Sequence, residues 1–351
     1  MTGAADIAVL YLARHAEGLA PLERFRASYR THAAGLDHQL VVLYKGYLEP
    51  SQRAAAQAVF AEHPHIALEL DDSGFDIGSY VEAARHLAHT HVCLLNTFTE
   101  LTTPGWLALL AKRATAAGVG VAGAMGSYES LYDSYQLLHK VTWLCDRADI
   151  EYDPTLHHYY RVFIDENCPG WGTEKTANGK ALTRVRRLLL DARFRRHWRA
   201  LMAARPPIAH LERYPRFPNP HIRTTGLMVR RERLLAFERG AIRTKDDALD
   251  FESGPDGLTA RARRDGLAAI VVTKDDRDFD VADWPRSFTY RLGDQRNLLA
   301  TDRQSRKFAQ LDAGSRITNV RITWGDYADP PPADYPDLGL RFRRGSLAVT
   351  R

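Results

Sequence analysis

The amino-acid sequence predicts an α/β fold, a mainly parallel sheet covered by helices on both faces. Three observations carry that prediction. Short apolar, β-branched runs alternate with amphipathic stretches from residue 7 to about residue 124, the pattern of parallel strands joined by helical crossovers. Apolar residues make up 45% and charged residues 26% of the 351 positions, the balance of a globular chain large enough for one big domain or one domain with an insertion. No run approaches the roughly 20 apolar residues that cross a bilayer.

The elements follow in order. Ile7–Leu12 is a β-rich apolar run and the first strand, and Leu22–Tyr29 is the first helix. Leu40–Tyr44, Gln52–Ala61 and Ile66–Leu70 repeat the strand, helix, strand sequence. Residues 71–78, DDSGFDIG, read as a loop because Gly and Asp tolerate positive φ and local side-chain bonding. The next helix is Ser79–His89, with Ser79 as N-cap and Glu82 completing a capping box. His91–Leu95 is a fourth strand, Pro104 opens a helix to about Ala117, and Gly118–Ala124 is a fifth strand. GVGVAG at 118–123 matches G-x-G-x-x-G literally. The dinucleotide motif places those glycines in a turn before a helix, whereas here they follow a helix and form the strand itself.

The regularity stops near Met125. Residues 126–220, rich in Tyr, Trp, His and Arg, are expected to form a helical insertion. Within it Val185, Leu188, Leu189, Phe194, Trp198, Leu201 and Met202 fall near one helical face with arginines around them. Prolines from Pro206 to Pro220 enforce an extended return. A strand at Ile222–Val229, a helix from Arg231 and a strand at Ala268–Val272 follow. The last sixty residues read as short strands and turns, with the prolines at 330–332 in a rigid exposed turn.

Charge and cysteine content exclude several classes. Residues 180–199 hold eight Lys/Arg and one acid, Asp191. Taking that +7 from the chain's +5 leaves a net −2 elsewhere, so a nucleic-acid-coating surface is not implied. The basic stretch 184–202 has three open readings: a solvated arginine face over the insertion's core, a dock for an anionic or lipid-linked acceptor or a peripheral membrane contact, or a site for an acidic polysaccharide. Cys93, Cys145 and Cys168 are odd in number and lack CxxC spacing, which argues against a disulfide framework or zinc site. The N-terminal MTGAADIAVLYLAR has no basic leader region, so the expectation is no signal peptide and a cytoplasmic location, at most peripheral to the inner membrane face.

Parallel sheets bind ligands at the carboxyl ends of their strands. There the sequence places an acid-bearing loop at 71–78, a helix carrying Glu82-Ala83-Ala84-Arg85-His86, and a strand ending Leu94-Leu95-Asn96-Thr97-Phe98. Farther on, HIRTTGLMVRRERLLAF (221–237) precedes Asp250-Phe251-Glu252-Ser253-Gly254, and then Leu258, Arg261 and Gly266. The order of these parts resembles the GT-A glycosyltransferases, particularly the bacterial family 2-like enzymes, over roughly residues 5–125 and 220–275. In that family an acidic strand end, an A-R-N helix and a D-x-D strand precede an acid pair and an L-x-x-R-x-x-x-x-G helix. The later GDQRNLLATDRQSRKF is similar to tails of glycosyltransferase-like proteins.

The resemblance implies a Rossmann-like GT-A domain that moves a sugar from a nucleotide-sugar donor to a glycan or lipid-linked acceptor, as in polysaccharide biosynthesis. Residues 1–125 would be the donor-binding half, 126–220 the insertion, 221–290 the acceptor and catalytic half, and 291–351 a C-terminal extension. Arg14, Asp72, Asp76, Arg85, Asn96, Thr97, His221 and Arg223 are the donor-binding candidates. An inverting transfer needs one carboxylate to take the acceptor proton, and Glu252, then Asp250, are the candidates. The departure from the family is that neither Asn96 nor Phe98 is an aspartate. Two hard anionic oxygens normally hold Mg²⁺ or Mn²⁺ there, so either the transfer is metal-independent or Glu100 or other acids hold the ion. Residue type alone leaves other roles open: Arg14 and Arg85 as surface ion-pair partners, Glu252 as the cap of a helix starting near Pro255, His221 and Arg223 in the core or on the surface. A nucleotide- or glycan-binding protein that kept the fold without catalysis is the alternative.

Overall fold

The computed structural model describes residues 6–134, 210–237 and 242–328, together with two-residue strands at 150–151 and 341–342. The chain divides into two compact units, one of Met1–Glu129 with Phe217–Pro336 and one of Ser130–Arg216 with Asp337–Arg351.

The first unit is built on an eight-stranded sheet flanked by helices. Its chain order is β1 (Ile7–Arg14), α1 (Ala20–Thr31), β2 (Gln39–Lys45), α2 (Pro50–Val59), β3 (Ile66–Leu70), α3 (Phe75–Arg85) and β4 (His91–Leu95). Then come β5 (Glu100–Leu101), α4 (Trp106–Ala114), β6 (Val119–Gly123) and β7 (Gly126–Ser127). After the second unit's β8 (Ile150–Glu151) follow β9 (His221–Ile222), β10 (Leu227–Arg230), α5 (Arg231–Leu235), α6 (Lys245–Ser253), α7 (Leu258–Arg264), β11 (Ala268–Val272) and β12 (Asp278–Phe279). The last elements are β13 (Ala300–Thr301), α8 (Arg303–Ala309), α9 (Ala313–Trp324) and β14 (Arg341–Phe342).

Across the sheet the order is β12-β11-β6-β10-β4-β1-β2-β3. β3, β2, β1 and β4 run parallel, as do β6 and β11. β10 enters antiparallel between β4 and β6. Its amino end therefore lies at the carboxyl ends of its neighbours, with Leu227 opposite both Leu94 and Gly123. Alternation along β1 separates the two cores. Ala8, Leu10 and Leu12 pack with Tyr80 of α3, Phe251 of α6 and Leu258 of α7. Val9, Tyr11 and Ala13 pack with Phe25 of α1 and Trp106 and Leu110 of α4. The predicted α/β fold with a mainly parallel sheet covered on both faces is observed.

The glycine run at 118–123 is a strand, as expected. A Cβ on Gly120 would lie 2.6 Å from Ala262 Cβ, and one on Gly123 would lie 2.2 Å from Ile222 Cγ2, so only glycine lets α7 and β9 approach this closely.

Several expectations are corrected. The third helix starts at Phe75, not Ser79, because Gly74 takes a left-handed conformation (φ 72°) and opens it four residues early. Ser79 is then interior and donates to the Phe75 carbonyl at 2.9 Å instead of capping. The strand expected at 222–229 is broken by a turn at 223–226, where Gly226 (φ 72°) passes against Ala124. The final segment holds two helices where strands and turns were expected. Asp302 and Ser305 form a capping box for α8, and the Asp312 carboxylate accepts from Ser315 N to cap α9. The exposed acids at 275–280 also form ion pairs: Lys112 meets Asp276 at 2.8 Å, and the largely buried Arg113 holds Asp276 and Asp278.

In the second unit, β8 pairs antiparallel with β14. Ser130 Oγ donates to the Pro215 carbonyl at 2.8 Å, and Arg216 meets Asp133 at 3.0 Å while lying over the Tyr132 ring. The basic helix expected at 184–202 and the proline turn at 330–332 lie outside the described residues. Among the described residues no helix is long and apolar enough to cross a membrane.

Candidate functional site

The carboxyl edge of the sheet gathers most of the sequence-nominated residues. Arg14 ends β1 and donates from Nε and Nη2 to both oxygens of Asp72, each at 3.0 Å. Those bonds hold the Asp72 carboxyl below the usual carboxylate range. Lys45 ends β2 with only 1% of its surface exposed. Its ammonium donates to the carbonyls of Ser73, at 2.6 Å, and Phe75. Burial pulls the Lys45 pKa down. Arg14 and Lys45 thus fix the 71–75 loop that launches α3.

Asp76 sits in the first turn of α3, half-buried, with Oδ1 accepting from Ile77 N at 3.0 Å. Burial, and next the nearby Glu252 carboxylate, push its pKa up. The acidic segments around 74 and 252, far apart in sequence, are carried by α3 and α6, and α3 packs directly on α6.

Glu252 is held from the other side by the segment leading into β9. Asn219 Nδ2 donates to the Ser253 carbonyl at 2.8 Å, and Ile222 N donates to Thr259 Oγ1 at 2.9 Å. These bonds stitch residues 219–222 to α6 and α7. His221 Nδ1 lies 2.8 Å from the Asn219 carbonyl. A carbonyl only accepts, so Nδ1 carries the hydrogen and Nε2 keeps its lone pair. Burial lowers the His221 pKa and favours this neutral form. Arg223 brings Nη1 to 3.8 Å from Glu252 Oε1, an ion pair too long for a hydrogen bond.

Among the described residues neither of these side chains makes a hydrogen bond, and Glu252 Oε1 and Arg223 Nε are both shut away from solvent. An unmade bond at a buried polar atom costs about 1–3 kcal/mol. Folding tolerates such a cost most readily where a ligand completes the set. Asp250 lies two residues earlier on α6, about 200° round the helix from Glu252 and so on a different face. Gly254 N donates to its carbonyl at 3.1 Å, which ends the helix.

Two residues outside the sequence nominations complete the cluster. Tyr290 is buried, and its ring is faced by Arg223 at 4.4 Å and Arg291 at 4.8 Å. Arg291 has a positive φ of 52° and pairs with Glu129 at 3.6 Å. A φ of that sign in a non-glycine residue is strained. No residue-type signal in YRLGDQR marks these positions as site residues.

Asn96 and Thr97 serve the architecture of the β4 tip. Asn96 Oδ1 accepts from Phe98 N at 2.9 Å and Thr99 Oγ1 at 3.3 Å, while Nδ2 donates to Thr225 Oγ1. The Thr97 carbonyl accepts from Tyr11 at 2.9 Å. Arg85 is exposed at the last position of α3, nine residues and about 14 Å along the helix from Asp76.

The resemblance implies a divalent cation near this tip, and the residues present do not fit one. Both acceptor positions of the Asn96 oxygen are occupied. Glu100 is flanked by Arg24 and Arg306, each at 3.1 Å. Among the described residues no group of three His, Cys, Asp or Glu side chains is placed to hold a metal ion.

No protein-family model matches the chain, nor does any curated protein. Among solved structures it is similar to the mannosyltransferase PcManGT from Pyrobaculum calidifontis in complex with GDP-Man and Mn²⁺, at 14% identity and a TM-score of 0.30 over 39% of each chain. It is also similar to GalNAc-T7 with UDP, GalNAc and Mn²⁺, at 12% identity and a TM-score of 0.29, covering 35% of this chain and 23% of that one. The matched parts are less than half of either protein's own length.

Proposed function

We propose that the chain is a nucleotide-sugar-dependent glycosyltransferase of GT-A architecture that inverts the transferred sugar, with Glu252 as the base. The observation that carries this reading is the Glu252 carboxylate: mostly enclosed, without a hydrogen bond among the described residues, and set beside Arg223, His221 and Asp76 at the sheet's carboxyl edge. A carboxylate whose lone pairs are unengaged can take a proton from an incoming hydroxyl as that oxygen attacks the anomeric carbon. The proton passes to Glu252, the new C–O bond forms, and the bond to the departing diphosphate breaks with its electron pair on the phosphate. The donor lies over the ends of β1, β3 and β4, near Arg14, Asp72, Asp76 and the Asn96–Thr97 tip, with His221 and Arg223 toward its phosphates. The acceptor is a glycan or lipid-linked glycan, as in polysaccharide assembly by a bacterial cytoplasmic enzyme.

One observation favours a second reading, a nucleotide or glycan binder without turnover: the Asn96 carboxamide, at the position of the family's metal-binding acid, is wholly engaged in its own turn. Thermal shift against UDP, GDP and TDP, each with EDTA or Mn²⁺, tests both readings together. At one hundred times Kd a ligand adds about 2.7 kcal/mol of stability, a rise of a few degrees for a chain of this size. A flat panel contradicts the transferase and a nucleotide binder alike, and nucleotide binding without any hydrolysis or transfer of the sugar leaves the binder.

A further inference from the structure

We propose that Arg223 and Arg291, both lying against the Tyr290 ring, form a diphosphate-receiving clamp that does the work of a metal ion at this site. Identifying the diphosphate as that of a sugar donor rests on the transferase reading above.

The Arg223 guanidinium has five N–H donors. Among the described residues none of them makes a hydrogen bond, and its nearest anion, Glu252, stays at 3.8 Å. Arg291 donates to Thr323 Oγ1 at 3.2 Å and has Glu129 at 3.6 Å, while its Nε has no partner. Both side chains are largely enclosed, at 20% and 12% exposure. Two enclosed cations with donors left over, each with its carboxylate beyond hydrogen-bond reach, form a set that an oxyanion completes.

Tyr290 supplies the geometry. Its ring is 1% exposed, and the two guanidinium carbons lie 4.4 and 4.8 Å from its centroid. An arginine stacked on an aromatic face keeps its N–H edge free for bidentate contact with phosphate oxygens. The positive φ of Arg291 holds it against the ring. The clamp also sits at the correct edge: Arg223 follows β9, and its amide donates to the Met125 carbonyl just beyond β6 at 3.0 Å. The Asn96 oxygen, where the family's metal would be expected, is closed to a cation by its two hydrogen bonds. Two arginines carry the same +2 charge as Mn²⁺ and offer directed donors to the leaving group.

The test is calorimetric titration of the full chain with inorganic pyrophosphate, UDP and GDP, in EDTA and again in Mn²⁺. The clamp requires binding in EDTA that Mn²⁺ does not tighten. Arg291→Gln and Arg223→Gln should weaken it about tenfold or more, and Arg291→Lys should weaken it less than Arg291→Gln. The comparison of EDTA with Mn²⁺ needs no variant, so a variant that fails to fold does not protect the proposal. Binding that appears only with Mn²⁺, or that survives Arg291→Gln unchanged, overturns the clamp while leaving a transferase standing. Arginine-dependent pyrophosphate binding without any nucleotide binding upholds the clamp and overturns the transferase. No binding of any probe overturns both.

Discussion

At the scale of single residues, the site is a balance of charges held close without being neutralised. Asp76 shows the consequence. Its folded-state pKa is raised, first by burial and next by Glu252. The folded chain therefore binds that proton more tightly than the unfolded chain does. Stability from this group is complete below the ordinary carboxylate value near 4 and declines as pH rises toward the raised value. Asp76→Asn removes the decline. Urea midpoints of the two proteins should agree near pH 3.5, and the variant's should be the higher at pH 7; a variant less stable at pH 7 would show that the carboxylate is stabilised there instead. Lys45 behaves differently, since its ammonium holds two carbonyls of the 71–75 loop. Lys45→Met keeps the stem and strands both carbonyls, and the expected loss is about 1–3 kcal/mol, with the loop amides exchanging faster. Unchanged exchange in that loop would deny Lys45 this role.

At the scale of elements, the sequence marked strands well and helix starts less well. β3, β4 and β11 fall at the expected limits because each is a short, mostly apolar run that stops at a polar residue. α3 was misplaced because its start is set by a left-handed glycine and by the distant Lys45, neither of which shows in local pattern. α8 and α9 were legible in principle, from Asp302 with Ser305 and Asp312 with Ser315, but the apolar periodicity there is weak. The glycine strand β6 carries the clearest test at this scale. A side chain at Gly123 would meet Ile222, and Ile222 sits between the site residues His221 and Arg223. Gly123→Val should destabilise the fold by about 1–3 kcal/mol through overpacking and should also weaken nucleotide affinity by displacing Arg223. Chemical denaturation and titration on the same sample check both. A stability loss with unaltered affinity would separate the strand from the site.

At the scale of the whole unit, the antiparallel entry of β10 between β4 and β6 is what assembles the site. It returns the chain so that His221 and Arg223 arrive at the same edge as Arg14, Lys45 and Asp76. Sequence order alone nominated Asp76, His221, Arg223 and Glu252, since each belongs to a segment whose neighbours form recognisable elements. It could not nominate Tyr290 or Arg291, which come from an irregular stretch where Tyr290 packs against Arg223, nearly seventy residues away, and against Arg291. Nor could it show that Arg14 would be engaged by Asp72, or that Arg85 would end at the far tip of its helix. The central claim is that Glu252 is the proton acceptor of a sugar transfer at this edge. Glu252→Gln keeps the shape of the side chain and removes its basicity. Donor turnover and nucleotide affinity measured on that variant test the claim most directly. Turnover should fall about a hundredfold or more with affinity within a few-fold of the parent, and turnover that survives the substitution would rule out Glu252 as the base.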